Sequence, residues 1–211
     1  MSNLGTMKTR IANELARSDL TTEIGQAIQS AIEHHERRRF YFNETIASVT
    51  ASIGQEWYAS ADAAWIASAV DIDSLRVTIN SRPYPVNKRT MAELEIVSGG
   101  STISGDPTDW CYYQQQIRLY PVPSAARVLT GAYIQRFATM TADGDSNAWM
   151  NDAEALIRTR AKIMLWEEVI RGDAGKKEGE FLRAREADYL SRLLSETGRR
   201  GRAGSVVAEY L

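Results

Sequence analysis

The hydrophobic period of this 211-residue chain changes twice, and that change limits the possible folds more than any single motif does. From Met7 to Phe42 apolar residues recur at three- and four-residue steps: Met7, Ile11 and Leu15, then Ile24, Ala27, Ile28, Ala31, Ile32 and His35. Between the two sets lies Ser18-Asp19-Leu20-Thr21-Thr22, a cluster of N-cap formers. The pattern predicts helices over 7–17 and 22–40. From Asn43 to Phe137 the period shortens. Leu75, Val77 and Ile79 alternate with Arg76, Thr78 and Asn80, as in a half-buried strand. Ser81-Arg82-Pro83 reads as a turn and Tyr84-Pro85-Val86 as a return strand, which its prolines place at a sheet edge. Thr90 with Glu93 predicts a short capped helix over 90–97. Residues 98–107 read as a loop, and 110–113, 117–120 and 128–137 as three successive antiparallel strands. After Ala142-Asp143-Gly144-Asp145-Ser146 the helical period returns. One helix is capped by Asn151 and carries Leu156, Ile157, Met164, Leu165 and Val169; a second spans 174–196 and ends at Thr197-Gly198.

The expected fold is therefore α+β. N- and C-terminal helices (1–42 and 146–197) form one helical bundle, with a β-rich insert of antiparallel strands (43–145) between them and an extended C-terminal tail (198–211). The terminal helices are too short to bury their apolar faces alone, so they are expected to pack on each other.

Composition removes several classes. With 25 Lys+Arg against 27 Asp+Glu, the chain has no overall basic excess of the kind that marks a nucleic-acid binder. Five Trp and nine Tyr in a charge-balanced chain argue against disorder. No apolar run reaches the ~20 residues of a transmembrane helix, and Met1 to Arg10 lacks a signal-peptide apolar region. A lone cysteine, Cys111, excludes an internal disulfide framework and a Cys-based zinc site, and fits a reducing compartment.

No set of residues organises into an active site. His34 and His35 are neighbours that point about 100° apart on a helix, a poor start for one metal site. Gly172-Asp173-Ala174-Gly175-Lys176-Lys177 has Ile170 where a phosphate loop needs Gly and Lys177 where it needs Ser or Thr. Gly99-Gly100-Ser101 lacks the closing glycine of a nucleophile elbow, because Ile103 stands there. Cys111 sits between aromatic residues with no basic neighbour to activate it. The expectation is a protein that is not an enzyme and holds no cofactor or metal.

Charge is spread unevenly. Glu44, Glu56, Asp62, Asp71 and Asp73 fall in a stretch without Lys or Arg, immediately after Arg37-Arg38-Arg39. These eight residues are candidate inter-subunit or channel charges, basic patches of one copy meeting acidic ones of another. The tail joins Arg199, Arg200 and Arg202 to Val206, Val207, Tyr210 and Leu211, a basic tether with an apolar end suited to docking on a partner.

The segment Pro107, Tyr113, Ile117-Arg118-Leu119-Tyr120-Pro121-Val122-Pro123, followed by Tyr133, resembles the head-to-tail adaptor (connector, gatekeeper or tail accessory) proteins of tailed bacteriophages. The 73–86 hairpin, the 90–94 helix and the flanking amphipathic helices fit the same family, over roughly residues 7–195. The resemblance implies a structural virion protein at the neck, assembled in the host cytoplasm. It would form a ring, usually of twelve copies, under the portal protein and above a tail or nozzle protein, with residues 199–211 docking on the portal. DNA would pass through without sequence-specific contacts, and no membrane is involved; a near-neutral chain suits such a conduit, since Lys/Arg–phosphate contacts would grip it. Two other classes compete: a virion-associated cell-wall hydrolase, and a DNA-binding helical module using Arg37 to Arg39. The first lacks a carboxylate in a cleft, and the second has apolar residues where bases would be read.

Overall fold

The computed structural model describes residues 2–170 and 172–202. They divide into two compact units, one drawn from 1–43 and 137–211, the other from 44–136.

In the first unit, α1 (Leu4–Leu15) begins three residues before the apolar period does. Asn3 accepts from the Thr6 amide at 2.8 Å, and the Thr6 hydroxyl accepts from the Asn3 amide at 2.9 Å, a reciprocal cap that satisfies two orphan donors. The Leu4 and Gly5 amides donate to the Asp145 and Asp143 carbonyls at 3.0 and 2.9 Å. α1 is therefore closed by a distant loop, and a Cβ on Gly5 would lie 2.9 Å from Asp143 Cβ. α2 (Thr21–His35) stops five residues short of its expected end. α5 (Ala148–Asp152) and α6 (Glu154–Met164) follow, then a π-helical stretch over Leu165–Ile170 and α7 (Gly172–Arg202). Met7 and Ile11 of α1, Ile24 and Ile28 of α2, Trp149 of α5 and Leu156 and Ile157 of α6 share one apolar cluster. Lys162–Glu14 and Arg158–Glu14 pairs, at 2.6 and 3.4 Å, cross from α6 to α1.

The second unit carries β1 (Glu44–Ala51), β2 (Trp57–Tyr58), α3 (Ala64–Ser68), β3 (Ala69–Ile79), β4 (Arg82–Lys88), α4 (Met91–Ser98), β5 (Ser104–Gly105), β6 (Asp109–Tyr113), β7 (Gln116–Tyr120), β8 (Val122–Pro123) and β9 (Arg127–Gln135). Seven strands form one sheet in the order β1-β9-β3-β4-β6-β7-β2; β5 and β8 pair separately in parallel. Its core gathers Tyr58, Trp65, Ile72, Leu75, Trp110, Ile117 and Leu129.

The expected architecture, one helical bundle bearing an antiparallel β insert, is corrected here. The middle of the chain is a large mixed sheet with its own apolar core rather than an insert hung on a bundle, and β4 and β6 run parallel. β6, β7 and β9 are not three neighbours in order, because β9 leaves β7 and pairs with β1 and β3. β4 is not an edge strand. Its prolines survive because β6 pairs only with Asn87 and Lys88, leaving the Pro83–Pro85 stretch open on that side. The β3–β4 and β6–β7 turns use Asn80-Ser81 and Gln114-Gln115, all at positive φ, the geometry that matches strand twist. The predicted cap on α4 is present: Thr90 and Glu93 bond each other's amides.

Gly131 on β9 lies directly beneath Trp65: an added Cβ would sit 2.8 Å from Cη2 of that ring. Gly131→Val is expected to destabilise the sheet unit by about 1–3 kcal/mol through overpacking. Gly144→Ala, at a position with open space around it, should leave stability unchanged. Thermal unfolding of the two variants checks this, and equal melting temperatures would refute the close-approach account.

Candidate interaction surfaces

The predicted basic residues Arg37, Arg38 and Arg39 are exposed on the irregular turn that ends α2. Asn43 makes that turn. It is 1% exposed; its side-chain oxygen accepts from the Phe40 amide at 2.8 Å and its NH2 donates to the Arg38 carbonyl at 2.8 Å. Phe40 and Phe42 stack 5.3 Å apart, and both meet the Trp149 ring edge-on. The backbone is thereby folded back before it can extend the helix. Arg37 and Arg38 form no ion pair among the described residues, so the turn presents charge outward.

The predicted tail starts differently from expectation. α7 runs through Gly198 and Gly201 to Arg202. Glu196 pairs with Arg199 at 2.6 Å and Arg200 at 2.7 Å, and those bonds, Arg199 first, lower its carboxyl to about 2. The Arg200 guanidinium lies 3.8 Å over the Tyr41 ring, the Tyr41 amide donates to Thr197 Oγ1 at 3.1 Å, and its hydroxyl donates to Asp152 at 2.9 Å. These contacts outweigh the roughly 1 kcal/mol that a helical glycine costs. Tyr41, two residues beyond Arg39, thus ties the end of the arginine turn to the last turns of α7. Val206, Val207, Tyr210 and Leu211 lie outside the described residues.

The acidic stretch is largely committed within its own unit. Glu56 takes Arg118 at 2.5 Å, a guanidinium that also reaches Glu95 and lies 5.3 Å from the Trp57 ring centroid. Asp62 accepts from the Ala59 amide and the Gln55 side chain. Asp71 pairs with Lys88 at 2.8 Å. Glu44 and Asp73 are exposed on β1 and β3 and also have interactions of their own.

Sequence reasoning missed a polar cluster around the histidines. His35, 1% exposed, meets Glu186 of α7 through Nε2 at 3.1 Å, and Arg160 of α6 reaches the other Glu186 oxygen at 3.7 Å. His34, His35 and Glu186 offer ligand atoms within 4.8 Å of one another. They fit a metal poorly. His35 Nδ1 is buried without a partner, so the geometry suits the tautomer with its proton on Nε2; binding a metal there would move that proton to an orphaned nitrogen. The cluster works as a joint between α2, α6 and α7. Burial would raise the Glu186 carboxyl, but the His35 hydrogen bond and then Arg160 bring it below its usual value. Burial, Arg160 and His35 hold His34 below its ordinary 6.5. Cys111 is buried with its thiol pushed up by burial, in line with an inert role.

The family model described as SU10 adaptor protein matches residues 2–208, and the chain belongs to that family. Among curated proteins none matches. The resemblance to phage head-to-tail adaptors agrees with this membership, and the chain has the structural role of a phage adaptor in the virion neck. No helix among the described residues is long and apolar enough to cross a membrane.

Two outcomes follow from these surfaces. Asn43→Ala strands a buried amide and a carbonyl, and should cost about 1–3 kcal/mol for each group left unsatisfied in urea unfolding; an unchanged midpoint would remove Asn43 as the turn's organiser. The pH dependence has a defined sign. His34 is held below its unfolded value, so its contribution is fully present above pH 6.5 and is lost as pH falls. Glu186, also lowered, adds loss further down in the acid range. Stability should therefore fall on acidification from pH 7, and His34→Gln should flatten the upper part of that slope in melts across pH.

Proposed function

We propose that this adaptor assembles as a ring of about twelve copies between the portal and the tail, continuing the DNA channel. The family match over nearly the whole chain carries the reading. The helical unit, which bears the arginine turn and the C-terminal end of α7, serves the ring body and the portal side. The sheet unit serves tail or nozzle proteins. Residues 203–211, with Val206, Val207, Tyr210 and Leu211, dock on the portal. DNA passes without sequence-specific contact: the charge totals of the chain are balanced, so it has no overall basic excess to grip phosphate.

The test is to mix the purified chain with the portal of the same virus, then determine copy number by sedimentation and electron microscopy. A monomer or weak oligomer that forms rings on the portal is expected. Failure ever to co-sediment with portal, under conditions where the chain is folded, would sink the reading.

A further inference from the structure

We propose that the free edge of β1 is a strand-addition site, and that its occupant is an extended, uncharged segment of another protein chain. The identity of that partner rests on the reading in which the sheet unit serves a tail or nozzle protein.

β1 (Glu44–Ala51) ends the seven-stranded sheet and pairs with β9 alone. It holds register along its whole length, from Glu44 opposite Ile134 to Ala51 opposite Arg127, with no bulge. In an antiparallel pair alternate residues turn their N–H and C=O groups away from the partner, so β1 leaves a row of them open over roughly 27 Å. Among the described residues, the one bond from the backbone of 45–51 to anything but β9 is at the Ser48 carbonyl, which accepts from Trp65 Nε1 at 3.2 Å. Such an edge is a template for another strand, and proteins blunt it with proline, lysine, a bulge or shortness. The other open sides of this sheet are blunted. The opposite edge, β2, has two residues, and the open part of β4 carries Pro83 and Pro85. Leu119 of β7, beside β2, donates its amide to the Glu56 carbonyl at 3.0 Å. β1 alone has none of these devices, and it leaves Ile46 70% exposed.

The chemistry of β1 selects the occupant. After Glu44 the strand is uncharged to its end. On one face Ile46, Ser48 and Thr50 are exposed, with the Ser48 hydroxyl 2.9 Å from that of Thr130 on β9; on the other, Ala47 and Val49 border the sheet core. A phosphate backbone finds no cation on this strand. A charged segment would bring desolvated charges beside Ile46 or Val49 with nothing to pair them. An uncharged segment with β-branched or aromatic residues at alternate positions meets Ile46 on one face and Val49 on the other, as cross-strand neighbours do. A second copy fits poorly. Its other edge, β2, is too short, and β1 against β1 is a two-fold pairing that closes at two copies rather than a step in a ring. Main-chain bonds supply the affinity, and the alternating side chains supply the register.

The experiment follows amide hydrogen exchange across β1 in the chain alone, with the tail or nozzle protein of the same virus, and with that protein and the portal together. Ile46→Lys/Thr50→Lys and Ile46→Thr go through the same mixtures, and circular-dichroism melts verify their fold. Alternate amides of 45–51 should exchange quickly in the free chain and become protected when the tail protein joins. The double lysine variant should bind the tail protein about tenfold more weakly or worse, with Ile46→Thr binding like the full chain and portal co-sedimentation unchanged in both. A photoreactive residue replacing Ile46 should cross-link to the tail protein. If the lysine variant binds the tail protein normally, or β1 gains no protection on binding, strand addition is refuted and the adaptor reading stands. A cross-link to a second copy of this chain overturns the occupant. If the full chain never joins the portal, the adaptor reading itself fails, and the mixture with tail protein alone still decides for or against the edge.

Discussion

The buried side chain of Asn43 governs the helical unit. By holding the Phe40 amide and the Arg38 carbonyl, each at 2.8 Å, it bends the backbone just after α2. Everything nearby follows from that bend. Phe40 and Phe42 turn inward to Trp149, Tyr41 turns toward α7, and three arginines are left outside. An uncapped helical continuation would have spread these residues around a cylinder. The bonded turn sorts them into an apolar side and a charged side.

The same economy holds at the other end of the unit. The donors of α1 are met partly by Asn3 and Thr6 and partly by carbonyls of the 143–145 loop, so the first helix is tied to residues far along the chain. Glu186 ties α7 to both His35 and Arg160. Such charged joints contribute little as exposed pairs. Their value here comes from partial burial, where an unpaired partner would be costly. The sheet unit depends instead on shape: Gly131 gives room to Trp65, and that ring also bonds the Ser48 carbonyl, locking β1, β9 and the core together.

Several features were legible in the sequence because they depend on neighbours within a few residues. The Thr90–Glu93 cap, the 75–86 hairpin and the inward period of α2 all belong to this class. Others were not. The end of α2 looked like continued helix, since nothing local in Glu36 to Phe40 breaks the pattern; Asn43 does it through a buried bond. Gly198 looked like a stop, because glycine propensity is local, while the Tyr41 and Glu196 contacts that carry α7 onward are tertiary. Prolines marked β4 as an edge strand, but a two-residue pairing with β6 sufficed to place it inside the sheet order.

By itself, the sequence determined the helix–strand–helix succession, the segregation of charge and the adaptor resemblance, because periodicity, composition and short motifs are written in adjacent residues. Only the tertiary structure decided that the strands form one mixed sheet with its own core. It also decided that the acids of 44–73 are mostly bonded at home, and that Arg200 of α7 packs over Tyr41, just beyond the arginine turn. Those outcomes hang on partners tens to hundreds of positions apart, chosen by burial and hydrogen-bond satisfaction over the whole unit, which no local pattern encodes.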